Sequence, residues 1–424
     1  MTPGDASQSE RPTLRDRLVA HAASVGVVSS GRPAGDRPAR SVDALIIGAG
    51  QAGLGVAYWL RRITGLEVQI IERAAVGNSW LERWDSLRLF TPRRFSALPG
   101  MPFPAGEDFP SRLEVAEYLR CYADRFRLPV ETGHQVRRLT KSGGVFCAET
   151  NRADIRARHV VVAGGPFAQP YLPPASRKLD GVVFQLHSAD YRRPADVPDG
   201  EVVVVGGGNS AAQLALELSP THRVTMVSPR PPWFLPVTLL GADLYWWLYL
   251  TGTLNARTSS PVSRYVRRRG DAIIGTDLRR QVQTGRVRLL TQRVTGASGQ
   301  DLVLADGSLV PAPNVLWCTG YRPDLRWMDL AGALDRSGEP VHRRGASPVP
   351  GLHWMGLPWQ TRLNSSIING VDRDAHATAK RIRAMSTEVG RSPREIRQAQ
   401  RDLGSLPPDQ PGHDRTGRRP GRAR

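Results

Sequence analysis

Asp43-Ala-Leu-Ile-Ile-Gly-Ala-Gly-Gln-Ala-Gly53 is the stretch on which the fold turns. Residues 43–47 are short, apolar and β-branched, as expected of a strand buried on both faces. The run ends in a G-x-G-x-x-G turn, and beyond it Leu54, Val56, Ala57 and Leu60 repeat at helical spacing. A second apolar strand, Val68-Gln-Ile-Ile71, leads into Glu72, 19 residues past Gly53. A dinucleotide-binding unit places at that distance the acid that accepts hydrogen bonds from a ribose hydroxyl. In such a unit Gly48 allows the tight turn and Gly50 lets the backbone approach a pyrophosphate. Gly53 lets the helix pack close to the strand, with Gln51 and Ala52 at the helix N-terminus that faces the phosphates. Spacing alone is weak evidence; strand, helix and acid together make the case.

The pattern returns 158 residues later. Glu201-Val-Val-Val-Val205 reads as a strand, Gly206-Gly-Gly-Asn-Ser-Ala211 as the turn, and Ala211 to Leu218 as the start of a helix. Gly206 and Gly208 take the turn positions, and Ala211 replaces the third glycine, a variant the fingerprint allows. The next strand, Arg223 to Val227, ends not in an acid but in Ser228-Pro-Arg230. A carboxylate there would repel a 2′-phosphate, whereas Ser228 and Arg230 can donate hydrogen bonds to it. Two dinucleotides in one chain imply electron transfer between them, with NADPH rather than NADH at the second turn.

The fold class expected is α/β, with two dinucleotide-binding, Rossmann-like domains. The second is inserted in a discontinuous first, and a chain of 424 residues is long enough for both. The expected division is a disordered arm over 1–40, the first part of the FAD domain over 41–195 and the NADPH domain over 196–310. The second part of the FAD domain follows over 311–391, and a basic disordered tail over 392–424. The formal charge of +19 rests on 55 Arg and only 3 Lys, and nine of the arginines lie between Arg391 and Arg424. No basic stripe with interleaved aromatics and no metal-ligand spacing accompanies them, so neither nucleic acid nor a metal is expected. Cys121, Cys147 and Cys318 are far apart and form no C-x-x-C, which indicates a reducing, cytoplasmic setting and excludes the cysteine pair of a flavin disulfide reductase. No apolar run reaches transmembrane length. Leu18 to Val28 is weakly apolar behind arginines, and it reads as part of the N-terminal arm rather than as a signal peptide.

Further segments carry a resemblance. Gly77-Asn-Ser-Trp80, Trp84-Asp-Ser-Leu-Arg-Leu-Phe-Thr-Pro92 and Leu98-Pro-Gly-Met-Pro-Phe-Pro104 are three of them. Gln185-Leu-His-Ser-Ala-Asp-Tyr191, Trp317-Cys-Thr-Gly-Tyr-Arg-Pro-Asp324 and the stretch from Gly351 to Gly370 are others. With the two turns, this set resembles single-chain flavin-dependent monooxygenases of the YUCCA-like and CzcO-like kind, over residues 43 to about 380. The resemblance implies that Gly48, Gly50, Gly53 and Glu72, with Arg73 following, hold FAD. Ser79, Trp80, Leu87 and Thr91 would approach its isoalloxazine, Ser210 with Ser228 and Arg230 would hold NADPH, and Thr319-Gly320 would connect the domains. Asn209 would help keep NADP⁺ over the flavin. His187 belongs to the monooxygenase fingerprint F-x-G-x-x-x-H-x-x-x-Y/W, as a structural residue of the linker or as a participant in chemistry.

The chain departs from that family at several points. Gly181 and Val183 occupy the Phe and Gly positions of the fingerprint, Phe90 stands where relatives often carry Asn or His, and Ala163-Gly-Gly165 replaces A-T-G. No clear Gly-Asp pair is found near residue 356. The activity implied is NADPH-dependent insertion of one oxygen atom from O₂ into a small organic substrate through a C4a-hydroperoxyflavin. The departures keep open an NADPH-dependent FAD oxidoreductase that passes electrons to an acceptor without oxygenation, and a redox-sensing flavoprotein as a third reading. Substrate class and homo-oligomer formation also stay open. Leu239 to Leu250 is left over: a lid on an apolar substrate, a subunit or membrane-surface contact, or helix core. Arg264 and Arg267-Arg-Arg269 read as a solvated basic loop or as a flank of the coenzyme entrance.

Overall fold

The computed structural model describes residues 40–270 and 272–388. The expected N-terminal arm, with its Leu18–Val28 segment, and the tail from 392 lie outside these residues. Arg40, assigned from the sequence to that arm, is instead the first residue of β1 (Arg40–Ile47). Its backbone N–H donates to Asp154 O, so pairing begins three residues before the run read over 43–47.

β1 is followed by α1 (Gln51–Ile63), β2 (Val68–Glu72), α2 (Arg112–Arg125), β3 (Val130–Thr132), β4 (Val136–Ser142), β5 (Val145–Thr150) and β6 (Ile155–Val162). The strand order is β3-β2-β1-β6-β5-β4. β1 runs parallel to β2 and β6 and is buried from Ala44 to Ile47, which is why its sequence is continuously apolar. α1 buries Leu54, Val56, Ala57 and Leu60, the periodic face read from the sequence. α2 starts at a capping box in which Ser111 and Glu114 each accept from the other's backbone N–H. β6 pairs antiparallel to β5 through its first half, and the strand Leu352–Trp354 runs parallel to its second half. The late return of the chain therefore completes the first sheet.

The second unit holds β7 (Phe184–His187), β8 (Glu201–Val205), α3 (Asn209–Leu218), β9 (Arg223–Ser228), α4 (Leu244–Leu250), α5 (Pro261–Arg269), β10 (Val287–Thr291) and β11 (Asn314–Trp317). Its sheet is wholly parallel in the order β10-β9-β8-β11-β7. This membership moves both expected boundaries. Phe184–His187 precedes residue 196 and Asn314–Trp317 follows residue 310, yet the two strands pair with each other inside the second sheet. The apolar stretch Val310–Trp317 forms parts of two strands: Leu309–Pro311 pairs in a separate antiparallel sheet before β11 begins. Pro311 and Pro313 lack the N–H that a continuous ladder needs, so the run breaks between them. The chain then forms β12 (Leu352–Trp354) and α6 (Val371–Glu388). α6 lies along α1, so closely that a Cβ on Gly55 would fall 2.4 Å from the Val371 Cγ1.

Candidate functional site

In the first turn each glycine has its own reason. Gly48 has φ +109°, and a Cβ there would lie 2.6 Å from the Ala163 carbonyl oxygen. A Cβ on Gly53 would lie 1.9 Å from the Gly48 oxygen, which holds the helix hard against the turn. At Gly50, by contrast, a Cβ would meet nothing within 4 Å. Neither strain nor packing demands glycine there, which fits a backbone kept bare for something that approaches from outside. Gly50 caps α1 without a side-chain bond, so the helix N-terminus presents backbone N–H groups behind that open face. Glu72 stands at the end of β2, where its carboxylate accepts from the N–H groups of Ala49 and Ala74, at 2.8 and 3.1 Å. The acid is thereby fixed to the turn itself. Gln51 is half-buried, Ala52 is buried and Arg73 is exposed.

The second turn repeats the geometry with different chemistry. A Cβ on Gly206 would lie 2.4 Å from the Cys318 oxygen, whereas one on Gly208 would meet nothing within 4 Å. Gly208 caps α3, again without a side-chain bond. Gly207 is constrained by Ser228, whose Oγ would stand 2.5 Å from its Cβ. The buried Ser228 hydroxyl donates to the Arg230 carbonyl at 2.7 Å, and the exposed Arg230 donates through Nη1 to the Arg268 carbonyl at 2.7 Å. Serine and arginine thus flank the turn at the end of β9, where the first unit has its acid. Asn209 uses both ends of its amide on one segment, donating to Ala272 O at 3.0 Å and accepting from Ile274 N at 3.2 Å. It is a tether between α3 and the 272–274 segment. Ser210 is half-buried and Ala211 is buried in the core of the second unit.

Each turn is backed by the strand end that leaves for the other unit: Ala163 after β6 and Cys318 after β11. The two crossings pair with each other, Tyr321 with Pro170 and Arg322 with Gln169, and Tyr171 N donates to Gly320 O at 2.9 Å. Thr319 donates its hydroxyl to the Tyr171 carbonyl. His187, fully buried, accepts at Nδ1 from Ala189 N at 3.0 Å and therefore donates from Nε2 to Gly320 O at 3.1 Å. These bonds hold it in one neutral tautomer and stitch β7 to the crossing. Burial pushes the Cys318 thiol up to about 12, so it stays protonated beside the turn.

The segment expected to approach a flavin also joins the units. Trp84 and Leu87 are buried in the hydrophobic core of the second unit, while half-buried Trp80 touches both cores. Asp85 N donates to Arg192 O at 2.9 Å, and Arg192 Nη1 donates to Arg83 O at 2.7 Å. Thr91 is buried, and the Ser96 hydroxyl reaches its Oγ1 at 3.0 Å. Ser79 is exposed. A second clamp was not read from the sequence. Thr258 N donates to Thr361 O at 3.1 Å, Leu363 N to Ala256 O at 2.9 Å, and Asn364 Nδ2 to Asn255 Oδ1 at 3.1 Å. Its partners are loop residues more than a hundred positions apart, with no motif to mark them. Gly356 was missed as well: its Cβ would lie 2.7 Å from Ala52 Cβ, so the return after β12 closes directly over the first residues of α1.

Comparison with known proteins agrees with this arrangement. The family described as pyridine nucleotide-disulphide oxidoreductase matches residues 45–241. A Geobacillus kaustophilus protein named as an uncharacterized CzcO-like oxidoreductase is 38% identical over 335 residues, which span 79% of this chain and 96% of that protein. The rice indole-3-pyruvate monooxygenase YUCCA1 is 27% identical over 395 residues, 82% of this chain and 93% of its own. A solved flavin-containing monooxygenase from Stenotrophomonas maltophilia superimposes with a TM-score of 0.69 at 28% identity, covering 82% of this chain and 99% of that one.

Proposed function

The chain belongs to the flavin-containing monooxygenase family, in its CzcO-like branch, and from that premise we propose an NADPH-dependent FAD enzyme that inserts one oxygen atom of O₂ into a small organic substrate. One observation carries the assignment of the two coenzymes. Two uncapped helix N-termini stand behind glycines, Gly50 and Gly208, whose missing side chains would touch no protein atom. The strand beside the first ends in a carboxylate and the strand beside the second in Ser228 and Arg230. Glu72 can accept from a ribose diol, so the first turn takes FAD. Arg230 keeps guanidinium N–H groups free for a 2′-phosphate while the Ser228 hydroxyl donates to its carbonyl, so the second takes NADPH.

Bound together, the coenzymes supply hydride transfer and oxygen activation, chemistry that no side chain here performs. The chain's own residues bind, orient and keep out water. Gly48 and Gly53 fix the first turn, and Gly206 and Gly207 the second. Asn209 acts through the 272–274 segment that it tethers, and His187 holds the crossing rather than carrying protons. Trp80, Trp84 and Leu87 make an apolar wall where the units meet, which favours exclusion of water. Three free thiols suit the cytoplasm.

A second reading, electron transfer to an acceptor without oxygenation, is favoured by Gly181 and Val183 at the fingerprint positions. Incubation with NADPH, ¹⁸O₂ and small-molecule extracts separates the two. Monooxygenation gives a product heavier by one ¹⁸O atom; NADPH consumption matched by peroxide or reduced acceptor alone overturns it.

A further inference from the structure

Leu240 occupies a place that leucine fits badly. It sits with Gly241 at the tip of the hairpin between Thr238–Leu239 and Ala242–Asp243. Its φ is +49° and that of Gly241 is +76°, the left-handed pair that two-residue hairpins favour and that Asn-Gly adopts most readily. Leucine there carries backbone strain, and the side chain is 85% exposed. Asparagine would remove both penalties.

The rest of the surface points the same way. α4 buries Leu244 and Tyr245 but leaves Trp246, Tyr249 and Leu250 exposed, at the i, i+3, i+4 spacing of one helical face. The Trp247 indole donates to Leu239 O at 2.8 Å, so helix and hairpin form one projection. From Leu244 to Gly270 the chain carries five arginines and no acid. Arg264, Arg267, Arg268 and Arg269 are exposed on α5, and Arg94 lies 5.6 Å from the Trp246 ring centre.

We propose that this projection docks on an anionic lipid bilayer, with Leu240, Leu250 and the rings of Trp246 and Tyr249 entering the headgroup layer and the arginines facing lipid phosphates. Aromatic rings with a polar edge and cations beside an apolar tip are the recurrent chemistry of an interfacial anchor. Among the described residues no helix is long and apolar enough to cross a membrane, so the contact is with one surface. A second copy fits poorly, because a two-fold contact would bring the arginine sets together.

The full chain, without added coenzyme or substrate, is co-sedimented with neutral phosphatidylcholine vesicles and with vesicles containing about 30% phosphatidylglycerol. Binding is expected to the anionic vesicles alone, weakening roughly tenfold from low to high salt. Leu240→Asn should weaken it by a further factor of about ten while leaving the melting temperature equal or higher. The proposal is overturned by absence of anionic-vesicle binding, or by binding that Leu240→Asn combined with Leu250→Ser does not reduce. Concentration-dependent dimers dissolved by Leu240→Asn would equally overturn it, as would binding of an acidic protein that survives while vesicles are ignored.

Discussion

In the first unit the strand after the glycine turn ends in Glu72, whose carboxylate accepts from Ala49 within the turn. In the second it ends in Ser228, whose hydroxyl donates onward to Arg230 O. The turns also differ where the sequence motif calls them equivalent. Gly53 packs so tightly that a Cβ would strike the Gly48 oxygen, whereas Ala211, at the matching position, carries a Cβ and is buried without conflict. Backbone demands are set separately in each turn by local packing; the outward-facing glycines, Gly50 and Gly208, are what the turns share. The common part is the part that no protein atom fills.

The largest effect that would sharpen this contrast is expected from Gly53→Ala. Its Cβ would meet backbone, which cannot swing aside, so a loss of at least about 3 kcal/mol is expected, read as failed expression or a collapsed melting temperature. Ala211→Gly, the reverse change in the second turn, should cost only about 1 kcal/mol.

Gly50→Val comes next and separates ligand from fold. The apoprotein should melt within about 2 °C of the parent while flavin affinity falls at least about a hundredfold, measured by absorbance after gel filtration. A variant that stays yellow would break the reading of the first turn. At the second turn, Arg230→Ala should raise the KM for NADPH with little change for NADH, by roughly ten- to a hundredfold for a charge-assisted contact of about 1.5–3 kcal/mol. Equal losses for both coenzymes would remove Arg230 from the phosphate site.

Acid sensitivity belongs to the first unit. Burial, followed by Arg381 and His159, lowers the pKa of His353 to about 3; burial, followed by Arg158, lowers that of His159 to about 4. An unfolded chain takes up these protons near 6.5, so the stabilisation is complete above that pH and is lost as pH falls towards 4 and then 3. Chemical denaturation between pH 7 and 4.5 should show the loss, and His353→Leu should lessen it. An unchanged slope would clear both histidines.

Sequence reading reached the elements that local pattern controls. β1, β2, β8 and β9 advertise burial through short apolar runs, α1 and α3 through a period of 3.6, and the turns between them through glycine. It placed the unit boundaries wrongly because β7 and β11 are four-residue strands whose partners are 130 positions apart in the chain. It also read Asn209 and His187 by motif; their bonds to 272–274 and to Gly320 depend on chain segments that no motif includes.

What the sequence determined alone was the pair of glycine turns and the charge at each following strand end, since backbone freedom and side-chain chemistry are properties of residues and their near neighbours. Only the tertiary structure decided which glycines are filled by packing and which face outward. It also decided how each turn is braced by the strand that leaves for the other unit, and that Leu240 and Leu250 lie in the open. Those are relations between distant segments, fixed when sheets and helices close on one another rather than by any local preference.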